Sequence, residues 1–243
     1  MDTKIVLVVA GGDRPEPTLL THLPPPMLTV AADSGVDHAQ SLGLDVDVVV
    51  GDLDSAGESA LEWARQQGAE IQVHPEAKDH TDLELAVEQA VGAMSRLGVD
   101  HLVVIGLGGG RLDHWLANAL TLAGPLTDGV TVTGFVGHGR IAVVKGGRSL
   151  FGRPGELISL LPVGGPARGV TTSGLRYRLS DEDLDVGSSR GVSNRFDVGG
   201  DGGLVTATVT VRSGTLLAVQ PHALEVDSDS GRSAGSSTTV PPG

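Results

Sequence analysis

Two aspartates, Asp52 and Asp54, follow a valine run in V-V-V-G-D-L-D-S at residues 48–55. In extended chain that spacing sets both carboxylates on one side of the backbone. Carboxylates facing the same way repel each other unless a cation lies between them. A hard divalent ion such as Mg2+ suits the pair, because it takes oxygen ligands and shares them with phosphate. Metal-assisted phosphate chemistry is therefore the first expectation. Capping does not account for both acids, since one helix start needs one cap and Ser55 is at hand.

Other acids recur in similar settings. Asp33 follows V-A-A, Asp79 and Asp82 precede a helical stretch, and Asp113 follows a glycine loop. For Asp33 or Asp113 taken singly, helix capping is the simpler account. The loop, G-L-G-G-G-R-L-D-H at 106–114, fails the dinucleotide fingerprint because Arg111 stands where the last glycine belongs. No Walker A sequence is present. A glycine-rich turn into a helix still offers backbone N–H groups to an anion, and Arg111 adds a bidentate phosphate donor. The plain alternative is a tight turn carrying a surface arginine.

These residues need elements to bring them together. Strand-like apolar runs cover residues 5–10, ending in Gly11 and Gly12, then 28–32, 46–50, 71–74 and 101–105. Between them lie helical patterns. Leu83, Ala86, Val87, Ala90, Val91, Met94 and Leu97 form an i, i+3/i+4 stripe. Ser55 with Glu58 and Thr81 with Glu84 fit the capping-box spacing. Alternation of strand and helix predicts an α/β fold with a mostly parallel sheet and flanking helices. Ligands bind such a sheet at its strand carboxyl ends, where the acids would converge. After about residue 130 the runs 130–136, 140–144, 156–162 and 169–172 read as strands, and 204–219 reads as a hairpin turning at Ser213 and Gly214. A smaller all-β sandwich domain is expected there. The expected boundaries are 1–138 for the α/β domain, 139–222 for the β-sandwich, and 227–243 for a polar, disordered tail.

Composition narrows the function classes. The chain has 243 residues, enough to bury a sizeable core. It is 40% apolar but only 2% aromatic, so Val, Leu, Ile and Ala must build that core. A net charge of -13 argues against nonspecific nucleic-acid binding. Absence of cysteine excludes disulfides, thiolate metal sites and cysteine nucleophiles. The first residues read as a strand rather than a signal peptide, and no run approaches the roughly 20 apolar residues of a membrane span. The expectation is a soluble cytoplasmic protein with no nucleic-acid or membrane partner.

Taken together, A-D-S-G-V-D at 32–37, G-D-L-D-S at 51–55, K-D-H-T-D at 78–82 and G-G-R-L-D-H at 109–114 resemble the thiamine pyrophosphokinase family. In the second half, T-T-S-G-L-R-Y at 171–177 and G-V-S-N at 191–194 are similar to its thiamine-binding segments. The resemblance spans roughly residues 5–219. It implies a homodimer with the active site near the subunit interface, and a reaction in which the hydroxyethyl oxygen of thiamine attacks the β-phosphorus of ATP and AMP leaves. It implies Mg2+ held by Asp52, Asp54 and Asp82, with Asp79 nearby and Asp82 taking the hydroxyl proton. Asp33, Lys78, Thr81, Gly108, Gly109, Gly110, Arg111, Asp113 and His114 would serve ATP. Thr172, Ser173, Gly174, Leu175, Ser193 and Asn194 would serve thiamine. The chain departs from the pattern at Arg195, where the family often has an acid. It also has no tryptophan in the second half, where Tyr177 or Phe196 would substitute. Three rivals stand beside this reading. One is a metal-dependent phosphatase, since Asp52-Leu53-Asp54 is similar to the haloacid-dehalogenase motif, although Ala56 leaves the match incomplete. The others are a pyrophosphokinase for a pterin-type alcohol and a non-catalytic nucleotide or thiamine sensor.

Overall fold

The computed structural model describes residues 4–75, 79–109, 111–198 and 203–224. Lys78, Gly110 and the expected tail at 227–243 lie outside the described residues. Six strands open the chain: β1 (Ile5–Val9), β2 (Pro26–Ala32), β3 (Val48–Gly51), β4 (Glu70–Val73), β5 (His101–Ile105) and β6 (Thr131–Val136). They pair in parallel in the order β4-β3-β2-β1-β5-β6. Four helices accompany them: α1 (Gly35–Leu42), α2 (Glu58–Gln66), α3 (Asp82–Leu97) and α4 (Leu112–Ala123). The chain steps outward from β1 to β4, then returns to β5 on the other side of β1. This reversal makes a crevice at the carboxyl ends of β1 and β5, the place where open α/β sheets bind ligands.

Strand alternation divides the core. Val6, Val8 and Ala10 pack with Leu83, Ala86, Val87, Ala90 and Met94 of α3 and with Ala119 and Leu122 of α4. Ile5, Leu7 and Val9 face the other way, onto Val36 and Ala39 of α1 and Ala60, Leu61 and Ala64 of α2. The expected α3 stripe is thus the helix's buried face. Thr81 caps α3 as its spacing predicts, its Oγ1 accepting from Glu84 N–H at 3.2 Å. The Ser55/Glu58 box does not form. The N-cap of α2 is Gly57, and Ser55 Oγ donates instead to Asp54 Oδ1 at 2.9 Å.

The sheet continues past β6 with antiparallel strands: β7 (Gly139–Val144), β8 (Gly147–Gly152), β9 (Leu157–Ser173), β10 (Glu182–Leu184), β11 (Asn194–Arg195), β12 (Val205–Thr210) and β13 (Ser213–Gln220). The order runs on as β6-β7-β13-β9-β12-β8. β9 belongs to two layers. Residues near its start pair with β13, and its end pairs with β12. A second core fills the space between, with Ala142, Val144, Leu216 and Ala218 facing Leu150, Ala207 and Val209. On β7 and β13 the alternate residues Ile141, Val143 and Leu217 face the α3 and α4 side. The expected sandwich is therefore present, but it grows from the same sheet.

Three strand readings change. The runs at 156–162 and 169–172 are parts of the single strand β9. β12 and β13 do not pair with each other, so there is no hairpin, and Ser213 and Gly214 lie within β13. The chain crosses between layers at Val211 and Arg212, whose N–H groups donate to Gly146 O and Arg168 O. β8 forms in G-R-S-L-F-G, where glycine at both ends and one buried leucine give little strand pattern.

Arg148 of β8 ties the two halves together. It donates to Val132 O, to Val143 O at 2.8 Å and to Thr133 Oγ1 at 2.6 Å. Burial pushes it down to about 10, and it stays a cation at neutral pH. His101 Nε2 meets the same Thr133 Oγ1 at 2.9 Å. Burial, then Arg148, lower its pKa against the opposing pull of Asp100.

Candidate active site

The acids meet at the carboxyl ends of β2 and β3 and the start of α3. Asp33 follows β2 in the left-handed region at φ 48, which aspartate tolerates better than most residues. Its N–H donates to Val50 O at 2.9 Å, so the β2–β3 pairing sets where its side chain begins. Asp52 follows Gly51, the last residue of β3. A side chain at position 51 would bring a Cβ to 2.9 Å from Asp82 Oδ1, so glycine there lets α3 come close. Asp82 stands in the first turn of α3, where the helix dipole favours a carboxylate.

Ligand oxygens of Asp33, Asp52 and Asp82 lie within 4.8 Å of one another. Asp33 Oδ1 is buried with no hydrogen-bond partner. Burial raises the Asp33 pKa, a Ser34 backbone bond opposes this, and Asp82, Asp52 and Asp54 add to the rise. A buried acceptor without a donor is unfavourable unless something else satisfies it. Three converging carboxylates with one orphaned oxygen fit a hard divalent cation.

Asp52 and Asp54 are not paired by strand alternation. β3 ends at Gly51, and Leu53 takes φ 63, so the segment is a turn. Within it Asp54 N–H donates to Asp52 Oδ1 at 3.3 Å. The close group contains Asp33 in place of Asp54, which is exposed and lines the same pocket. Asp79 is exposed and outside the pocket lining.

That pocket holds about 570 Å3. The acids and Thr81 line one side, Gly11 and Gly12 after β1 and Gly108 and Gly109 after β5 line the floor, and Arg111, His114, Trp115 and Asn118 line the α4 side. The two glycine segments cross backbone to backbone. A Cβ on Gly12 would lie 1.7 Å from Gly108 O. Gly12 N–H donates to Gly106 O at 2.9 Å, and Asp13 N–H to Gly108 O at 2.6 Å. Arg111 forks onto Asp113 through Nη2–Oδ2 at 2.7 Å and Nε–Oδ1 at 3.3 Å, and holds Asp113 down at about 2. Asp113 is outside the lining.

α1 reaches both loops. Asp37 Oδ2 accepts from Gly57 N–H at 2.9 Å, and His38 Nε2 lies 2.8 Å from Gly12 O. Sequence reasoning missed the crossing role of Gly11 and Gly12. The signal was a glycine pair at the end of the first strand.

The residues expected to serve thiamine lie elsewhere, and none lines the pocket. Asn194 is 3% exposed. Its Oδ1 accepts from Tyr177 N–H at 3.0 Å and Arg195 N–H at 2.8 Å, and its Nδ2 donates to Tyr177 O at 2.7 Å. Both ends of its amide thus bind backbone groups, mostly of the Tyr177 segment 17 residues earlier in the chain. Thr172 Oγ1 accepts from Leu179 N–H at 2.9 Å, and Leu175 is fully buried in the sandwich core. Gly174 is half-buried between them, while Ser173, Tyr177 and Ser193 are exposed.

Two family models match the chain in order. Residues 25–133 match the thiamin pyrophosphokinase catalytic domain, and residues 148–216 match the thiamin pyrophosphokinase vitamin B1 binding domain. Thiamine pyrophosphokinase of Bacillus subtilis (strain 168) is 25% identical over 196 residues, covering 79% of this chain and 90% of that protein. Thiamine pyrophosphokinase 1 of Oryza sativa subsp. japonica is 27% identical over 164 residues, covering 61% of this chain and 58% of that protein. The fold is shared with the crystal structure of the Bacillus subtilis thiamine pyrophosphokinase, at TM-score 0.72 and 21% identity over 92% of this chain and all of that one. Thiamin pyrophosphokinase from Candida albicans aligns at TM-score 0.73 and 15% identity, over 90% of this chain and 89% of that one.

Proposed function

Because the chain belongs to the thiamin pyrophosphokinase family, we propose that it transfers the pyrophosphate group of ATP to the hydroxyethyl oxygen of thiamine, giving thiamine diphosphate and AMP. The observation that carries this reading is the match of both family models, in order, on a chain whose acids converge beside a glycine crossing at the sheet's switch point.

Such a transfer needs alignment and charge neutralisation more than covalent catalysis. Asp33, Asp52 and Asp82 would hold Mg2+, which when bound would screen the phosphate oxygens and offset the repulsion among the acids. The backbone N–H groups at Gly108 and Gly109 suit phosphate oxygens. Arg111, turned from Asp113, can offer its planar fork to a phosphate. Asp54 stands outside the close triad but on the same wall, which suits it to accept the hydroxyl proton as the oxygen attacks the β-phosphorus. Thiamine is a cation, and an acidic site favours it.

The acceptor surface is assigned to the second half, with Ser173 and Ser193 as its outward residues and Thr172, Leu175 and Asn194 as their support. The working boundaries are 1–138 and 139–222. Among the described residues, none after Asn118 lines the pocket. We therefore take the acceptor surface to come from a second copy, in a homodimer with shared sites. No helix among the described residues is long and apolar enough to cross a membrane.

The test is incubation with ATP, Mg2+ and thiamine, followed by assay of AMP and thiamine diphosphate. Equal formation of both is expected. Release of inorganic phosphate without AMP would replace this reading with a phosphatase.

A further inference from the structure

We propose that Asp37 is a positioning residue for the phosphate chemistry, holding the far end of the acid-bearing loop from the first turn of α1. The inference rests on the reading that Asp33, Asp52 and Asp82 hold Mg2+. Residues 52–57 leave the sheet after β3 and become regular again at α2. The near end is tied by the strand ladder, with Asp33 N–H donating to Val50 O at 2.9 Å and His74 N–H to Gly51 O at 2.8 Å. The bonds of Asp54 and Ser55 stay inside the loop. The far end is tied to another element by Gly57 N–H, which donates to Asp37 Oδ2 at 2.9 Å.

Two details separate this from ordinary helix packing. α2 has no side-chain cap hydrogen bond of its own, and a carboxylate from α1 accepts from its N-cap N–H, the bond that a capping-box acid within the helix would otherwise make. Gly57 has φ -66 and ψ 130, a conformation open to any residue, yet a Cβ there would lie 2.2 Å from Asp37 Oδ1. Glycine at this position makes room for the carboxylate. Asp37 also lies four residues after Asp33, across the short junction from β2 into α1. The β2–α1 junction therefore carries one member of the triad and, in the first turn of α1, the tether of the loop that carries another. The spacing between Asp33 and Asp52 depends on that junction.

The experiment titrates Mn2+, a paramagnetic substitute for Mg2+, into the full chain without nucleotide, following the free-ion signal by electron paramagnetic resonance. Asp37→Ala and Gly57→Ala are expected to weaken Mn2+ binding by about tenfold, the scale on which outer residues tune a metal site. Both are also expected to raise the KM for Mg2+–ATP. Asp37→Asn, whose amide oxygen can still accept the Gly57 N–H, should recover most of the affinity. Asp52→Asn tests the metal reading itself. If it binds Mn2+ as the unsubstituted chain does, the site and the tether fall together. If it weakens binding while Asp37→Ala and Gly57→Ala both stay within about twofold, a margin set by ordinary non-additivity, the tether alone is overturned. A lower melting temperature with unchanged Mn2+ affinity means that Asp37 only braces α2, and also overturns it. Should Asp37→Ala fail to fold, Gly57→Ala, whose backbone conformation suits alanine, decides the matter.

Discussion

At the scale of single residues, the site separates charges that the sequence presents alike. Asp33, Asp52, Asp54 and Asp82 all line one pocket, but Asp54 stands apart from the close three. Asp33→Asn is expected to raise the Mg2+ concentration needed for turnover by about tenfold or more, since it removes a charged oxygen donor. Asp54→Asn is expected to lower kcat roughly 10^2-fold, as loss of a general base does, while the Mg2+ requirement stays near that of the unsubstituted chain. Kinetics at a series of Mg2+ concentrations distinguish the two, and identical defects would undo the division of roles. Asn194 marks the opposite case, a motif residue whose amide is occupied by backbone groups of Tyr177 and Arg195. Asn194→Ala should cost about 1–3 kcal/mol of stability by leaving buried partners unsatisfied. Thermal melting reads that loss, and a raised thiamine KM with unchanged melting would return Asn194 to ligand contact.

At the scale of elements, the sequence was most legible where burial is continuous. Parallel strands covered on both faces read as unbroken apolar runs, so β1, β2, β3 and β5 were visible from their valines, isoleucines and leucines alone. The stripe of α3 was equally plain. The membership of Asp33 in the triad was not visible, because it depends on β2 lying beside β3. The turn at Leu53 was hidden too, since nothing about leucine announces a left-handed backbone. The Ser213 and Gly214 hairpin was a local signal overruled by β9, which lies between β12 and β13 and pairs with both. The junction formed by β5, β6 and β8 carries a pH prediction. The His101 pKa lies below its ordinary 6.5 because burial disfavours the charged ring, with Arg148 adding to this and Asp100 opposing it. The unfolded chain therefore takes up a proton first as pH falls. This contribution is fully present above about pH 7 and is lost as pH drops through 6.5 toward the folded value. Melting curves at pH 7.5 and pH 5.5 should show a smaller acid-induced loss in His101→Gln than in the unsubstituted chain. An equal loss in both would mean that His101 does not report on the junction.

At the scale of the whole molecule, the separation of the acids from the second-half motifs underlies the proposal that two chains share each site, and that proposal is open to test. Asp82→Asn chains should be inactive for want of the metal site, and Ser173→Trp chains for a blocked acceptor surface. Heterodimers of the two should recover part of the activity, because one of their two composite sites is intact. Verified heterodimers with no activity would argue that each chain completes its own site.

β7 and β13 give one set of alternate residues to the helical layer and the other set to the sandwich. A single inserted residue after Thr215 would turn Leu216, Leu217 and Ala218 to the wrong sides at once, injuring both cores with one change. Heat should find no weak seam between the halves. Calorimetry is expected to record one endotherm whose van't Hoff and calorimetric enthalpies agree for the folding unit, even though two family models divide the chain. Two resolved endotherms would mean that the halves melt separately despite sharing these strands.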